Sequence, residues 1–429
     1  MGRQAIVALG QATVDGSTLF AHTMLSPPKA GLSWVQIPGR AFAWGEKVRT
    51  QHLDIPQARQ TYTVFGSRPA GAWGLTHGVN EHQLAAGCTC WHSKIRGQQD
   101  GLVGTDLVRL SLERARNARQ AVDVVAHLLE EYGPHAASSE DAILLLADPQ
   151  EALVIECAGP FWVCQEIRQM RVVGDTSVIR QDWDRISPGL ACYAIEQGWW
   201  PGDGNKLDFG TVGLPLSEEA SVWRWWGQST RWLEEQQGRI DLCFLRRLER
   251  RIAQTLAASP ASAAASAPST MRLGHSCMVA RLTADAVAPE PVWAWIGSLD
   301  AGIYFPFFWQ AVWPEPAPME GGQPASLADW WQELSYLHEL LLNDGTSPLK
   351  AAAALSTMQE QVDQKTAEFL EELAGVRPSS ASLESRRQCD AFLQHLVEEL
   401  EHALAITPPH RGLTSARRDS ASADVFIAG

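Results

Sequence analysis

Ala5-Ile6-Val7-Ala8-Leu9, then Asp15-Gly16-Ser17, then Thr18-Leu19-Phe20-Ala21 is an apolar run, a turn and a second apolar run. Apolar and partly β-branched residues flanking an Asp-Gly turn predict a β-hairpin at the start of the fold. Working outward, strand-like runs recur at 60–66, 71–76, 84–91, 142–147, 152–157 and 161–166, so sheet is concentrated in the first half of the chain. Between them, Thr105 or Asp106 is placed to cap a helix through Arg114. Asn117 is placed to cap a second, whose apolar residues Ala121, Val124, Val125, Leu128 and Leu129 recur at helical spacing before Gly133. Strand and helix interleave without a parallel βαβ rhythm.

Further along, 221–257 reads as helix and 257–270 as an Ala/Ser/Pro tract too poor in apolar surface to order itself. Strand signals resume at 277–280 and 292–296. Helical patterns cover 327–373 and 390–405, and the last two dozen residues, with Pro408-Pro409, read as a flexible tail.

The 429 residues carry 35 Lys plus Arg against 49 Asp plus Glu, a net charge of −14. That balance argues against nucleic acid or an anionic membrane surface as partner. The 5–9 run is shorter than a signal-peptide core, no run is long enough to span a membrane, and eight cysteines are too few for a disulfide scaffold. A cytoplasmic location is the expectation. Tryptophan is the unusual residue, at 18 against 5 tyrosines.

Four segments together resemble one family. They are Val7-Ala8-Leu9-Gly10 with Ala12-Thr13-Val14-Asp15-Gly16-Ser17, then Ser67-Arg68-Pro69 with Trp73-Gly74 and Gly78-Val79-Asn80-Glu81-His82. Next are Gly104-Thr105-Asp106-Leu107-Val108-Arg109-Leu110 with Leu112-Glu113-Arg114-Ala115, and Gly198-Trp199-Trp200 with Leu207-Asp208-Phe209. In order and spacing they are similar to the secernins and related bacterial dipeptidases, cysteine-type N-terminal-nucleophile (Ntn) hydrolases. The resemblance implies an α+β, four-layer αββα sandwich over residues 1–312, with the low-complexity insertion at about 257–270. A helical extension over 325–405 and a flexible tail over 406–429 complete the expected organisation.

The resemblance also implies amide-bond cleavage by a thiol on the first residue of the mature chain, with the free α-amine as base. Here Arg3 stands at the nucleophile position, and no cysteine occurs before Cys88. Leu25, within Thr23-Met24-Leu25-Ser26, falls where the family carries a carboxylate. Cys88 and Asp175 fall near the places of two asparagines, and Asp175 would repel an oxyanion. Asn80 and Arg224 complete the implied pocket. These substitutions predict a member that has lost cysteine peptidase activity and acts as a binding or regulatory protein, with a peptide or small amide as ligand.

The alternative is an amide hydrolase using a displaced thiol. Cys88, Cys90 and His92 alternate along a strand-like run, with His22 as a second candidate base. The same trio is compatible with zinc, but it lacks a second ligand pair, and small buried strand residues are its plainer reading. No metal or cofactor is expected. Arg246-Arg247 and Arg250-Arg251 read as an exposed helix face. The C-terminal helices are expected mainly to pack, with a protein partner or a second copy of the chain as the other use.

Overall fold

Two strands flank the Asp-Gly turn: β1 (Arg3–Gly10) and β2 (Gly16–Ser26) pair antiparallel. Gly10 and Gly16 sit at φ +58° and +76°, the left-handed region where glycine costs least. In the computed structural model the described residues are 3–26, 32–95, 100–135, 140–210, 220–257, 274–284, 290–298, 301–308, 348–375 and 383–405.

The hairpin sits in a six-stranded sheet ordered β12 (Met170–Val173), β1, β2, β14 (Gly274–Leu282), β15 (Val292–Ser298), β16 (Ala301–Phe307). A second, eight-stranded sheet runs β13 (Arg185–Ile186), β11 (Phe161–Ile167), β10 (Ala152–Ala158), β9 (Asp141–Ala147), β8 (Ala85–Trp91), β7 (His77–Asn80), β6 (Val64–Pro69), β3 (Leu32–Ile37). β4 (Lys47–Arg49) and β5 (Asp54–Pro56) form a small ribbon. The pairings between these strands are antiparallel, in keeping with the absence of a βαβ rhythm. β1 packs across β8 and β9, and Val7, Phe20, Ile143, Leu145 and Val154 share one buried cluster between the sheets.

Helices α1 (Gly104–Arg114) and α2 (Ala118–Tyr132) cover the other face of the eight-stranded sheet. Asn117 caps α2 as its sequence predicts, accepting from the Gln120 N–H at 2.9 Å, and Gly133 at φ +65° ends it. A short helix, α3 (Leu190–Glu196), follows β13. On the six-stranded sheet, α4 (Ala220–Glu234) meets β12, and α5 (Leu242–Ala257) lies on β2 and β14. The predicted single helix over 221–257 is therefore two, broken where Gly238, at φ +77°, donates its N–H to the Ala12 carbonyl at 2.9 Å.

A second correction concerns 71–76, which is turn rather than strand. The Ala72 N–H closes a turn on the Pro69 carbonyl at 3.0 Å, and a Cβ on Gly74 would fall 2.3 Å from the Thr105 backbone. This segment supports the start of α1 instead of joining the sheet.

Helices α6 (Pro348–Gly375) and α7 (Leu383–Ala405) pack onto the body of the protein. α6 lies along edge strand β16, where the Gln359 amide accepts the Tyr304 N–H at 2.6 Å and donates to the Tyr304 carbonyl at 3.0 Å. Phe308, Phe369 and Phe392 close the contact, with the last two stacked at 4.2 Å. Most of the low-complexity tract, residues 309–347 and the tail lie outside the described residues. No described helix is long and apolar enough to cross a membrane.

Candidate active site

Arg3 and Ala5 share a face of β1, and their β2 partners are Met24 and His22. The His22 ring lies against Gly87 of β8, so this face looks toward the eight-stranded sheet. From it the Arg3 guanidinium reaches the end of β8. It bonds to the Cys90 sulfur and pairs with Glu140 Oε2 at 3.0 Å. The Arg3 backbone N–H donates to Asp175 Oδ2 at 3.1 Å, and the Cys90 N–H donates to Asp175 Oδ1 at 3.3 Å. Cys90 Sγ also donates to Glu140 Oε2 at 2.9 Å. Arg3, Cys90 and Asp175 are thus brought together.

The charges of this cluster are mutually dependent. Burial pushes the Asp175 carboxyl up to about 6, against the pull of Arg3. Burial opposes the charge of Arg3, yet Cys90, Asp175 and Glu140 outweigh it and hold the guanidinium firmly protonated. The loop after Asp175 is tied down by Glu156 on β10, which accepts from Ser177 Oγ at 2.5 Å and from the Val178 and Ile179 N–H groups at 2.9 and 3.3 Å. Nothing in the residue spacing points to Glu140 or Glu156. The first precedes a strand and the second is a lone carboxylate within an apolar one.

The two candidate thiols are held by other partners. Cys88 is buried and donates to the Thr89 carbonyl at 3.1 Å, and its sulfur sits 2.7 Å from where a Gly104 Cβ would be. It therefore packs against the start of α1. Burial pushes its thiol up to about 12, and burial with Asp175 raises Cys90 well above the usual range. His22 Nε2 lies 3.1 Å from the Cys88 carbonyl, not from its sulfur. A carbonyl only accepts, so that nitrogen carries the proton. His92 lies past the end of β8 and is exposed, with its charge felt at Glu140. Among the described residues no group of three or more His, Cys, Asp or Glu is placed to hold a metal ion.

Two other expected pocket residues stand elsewhere. Leu25 pairs with His275, one step out of phase with Arg3 and Met24, so it occupies the opposite face of β2. Asn80 donates to the Leu112 and Ala115 carbonyls, both at 2.8 Å, and accepts from the His82 and Leu84 N–H groups. All its bonding capacity goes into holding the end of α1 and a turn. Arg224 lies on α4, and its side chain is outside the described residues.

Between the sheets lies a polar chain that residue spacing does not reveal. Ser276 Oγ donates to Ser67 Oγ at 2.7 Å and lies 3.2 Å from His77 Nε2, and His77 packs on His22 at 4.6 Å between ring centroids. Burial lowers both imidazoles, His22 to about 3, so they are neutral. All four side chains are sealed from solvent, which leaves them structural. The arginine run is an exposed face only in part: Arg247 and Arg251 are exposed, and the other two turn inward. Arg246 is buried over Trp293 at 4.5 Å and paired with Asp363 at 2.6 Å, while Arg250 stacks on Trp295 at 4.8 Å.

Among known proteins, residues 48–176 match the model of the family described as acyl-coenzyme A:6-aminopenicillanic acid acyl-transferase. Penicillin V acylase from Agrobacterium tumefaciens is similar at 15% identity and TM-score 0.42, covering 71% of this chain and 86% of that one. A mutant of conjugated bile acid hydrolase from Clostridium perfringens gives 14% and 0.38, covering 72% and 92%. The N-acylethanolamine-hydrolyzing acid amidase ortholog of Caenorhabditis elegans gives 10% and 0.32, covering 65% and 92%. The segment similar to the acyl-transferase family holds Cys88, Cys90, Glu140 and Asp175, and Arg3 lies outside it.

Proposed function

We propose that this chain is a non-catalytic relative of the Ntn amide hydrolases, with the αββα layering and the secernin- and dipeptidase-like character its sequence implies. It binds a peptide or small amide where its relatives would cut one. The observation that carries this is Arg3, at the position where the resemblance puts the nucleophile: Cys90 and Glu140 bind its guanidinium and Asp175 accepts its backbone N–H. A guanidinium offers donors and no lone pair for attack. It suits a carbonyl or carboxylate that is held and released unchanged.

The test incubates purified protein with dipeptides, N-acyl amino acids and penicillin V, and measures amine release with and without a thiol-alkylating reagent. The expected result is no release above buffer in either arm. Release abolished by alkylation and by Cys90→Ser or Cys88→Ser would overturn the reading in favour of a working thiol.

A further inference from the structure

A cavity of about 620 Å³ opens beside the edge of the eight-stranded sheet, away from the Arg3 cluster. Ser33 of β3, the Arg49-Thr50-Gln51 end of β4, and the segment from Arg68 to Trp73 line it. Ser33 and Arg68 are cross-strand partners and so share a face. Their neighbours Trp34 and Ser67 point the other way, toward the six-stranded sheet, where Ser67 meets Ser276 at 2.7 Å. Arg68 therefore stands on the face of the sheet that does not look into the inter-sheet layer.

The lining is cationic in a chain of net charge −14, with two arginines and no carboxylate. Arg49 pairs with Asp54 at 3.2 Å, but both are more than half exposed, so the pair is weak. The Arg68 guanidinium has no ion pair or hydrogen bond among the described residues; only its backbone carbonyl is engaged, by Ser33. The Trp73 N–H occupies Gln51 Oε1 at 2.9 Å, so what Gln51 offers is its Nε2 donor. The free polar capacity of the cavity is thus mostly donor. Its back wall is fixed: Arg109 stacks on Trp73 at 3.9 Å, donates to the Trp73 carbonyl at 2.8 Å and is anchored by Glu113 at 2.7 Å.

We propose that this cavity binds a small organic carboxylate. Arg68 grips the carboxylate with its planar fork, Gln51 Nε2 adds a donor, and the organic body lies against Pro69 and Trp73. A guanidinium fork matches the two coplanar oxygens of a carboxylate. The apolar part of the wall favours an organic acid over inorganic phosphate, and the volume lies within the range of small-molecule sites.

The probe is benzoate, titrated into the full chain and followed by ligand-observed NMR, with inorganic phosphate as competitor. The expected result is saturable binding, weakened at least tenfold by Arg68→Gln and unaffected by Arg119→Gln, an exposed arginine on α2. Arg68→Lys, which keeps the charge and loses the fork, is expected to bind between the two, and it alone decides the matter if Arg68→Gln does not fold. Absence of saturable binding, full-strength binding by Arg68→Gln or Arg68→Lys, or displacement by equimolar phosphate overturns the proposal.

Discussion

Arg3 gathers Cys90 and Glu140 with its side chain and Asp175 with its backbone N–H. With the Arg3 charge gone, Asp175 is a buried carboxyl without its cation, while Glu140, 36% exposed, regains water at little cost. Arg3→Gln is therefore expected to lower stability by about 2 kcal/mol, the scale of a lost hydrogen bond to a charged group, as read by denaturant unfolding. Asp175→Asn on top of it should recover part of the loss, because the carboxyl that needed the cation is then absent. Equal and additive losses in a double-mutant cycle would show that the two do not interact. At this scale sequence supplies identities at aligned positions, and Arg3 and Asp175 do meet. Leu25 and Asn80 do not join them, because strand parity and helix capping, not position along the chain, decide where a side chain points.

Among elements, the most legible pieces are those with a local signal. Asn117 capping α2, the Asp-Gly hairpin and the apolar runs of β8 to β11 each carry their cause within a few residues. What escapes a linear reading is settled by distant partners. The 71–76 run has strand composition but is used up beneath α1, and Arg246 and Arg250 of α5 turn inward because Trp293, Trp295 and Asp363 receive them, while Arg247 and Arg251 stay exposed. Edge strand β16 is another such case, since the backbone N–H and carbonyl of its Tyr304 are closed by one glutamine of α6. Gln359→Ala leaves the Tyr304 N–H and carbonyl without that partner and is expected to cost about 2 kcal/mol. Thermal unfolding and faster exchange of the Tyr304 amide check it, and an unchanged exchange rate would count against the edge-closing role.

For the whole molecule, the buried carboxyls set a pH dependence. Glu249 of α5 is fully buried against Thr23, and burial raises it from 4.5 to about 8, while Glu156 is raised to about 7. Between those limits the folded protein holds protons that the unfolded chain has released, so stability falls as pH rises, by at most about 1.4 kcal/mol per pH unit for each group. His22 and His275, lowered to about 3 by burial, act in the opposite sense, but mainly below 6.5. From pH 6.5 to 8 that opposing contribution fades and the carboxyls dominate among the described groups. The urea midpoint is expected to drop across that window, and Glu249→Gln is expected to flatten the drop; an unaltered slope would exclude Glu249 as its source. By itself the sequence determined the mixture of strand and helix without a βαβ rhythm, the opening hairpin, the capped helix and the absence of any cysteine before Cys88, since each depends on near neighbours or on composition. Only the tertiary structure decided that Arg3 is paired, that Cys88 is packing, that the C-terminal helices seal an edge, and that Arg68 lines a cavity with no ion pair among the described residues. Those outcomes depend on residues far apart in the chain, brought together when two sheets and their helices bury their apolar faces.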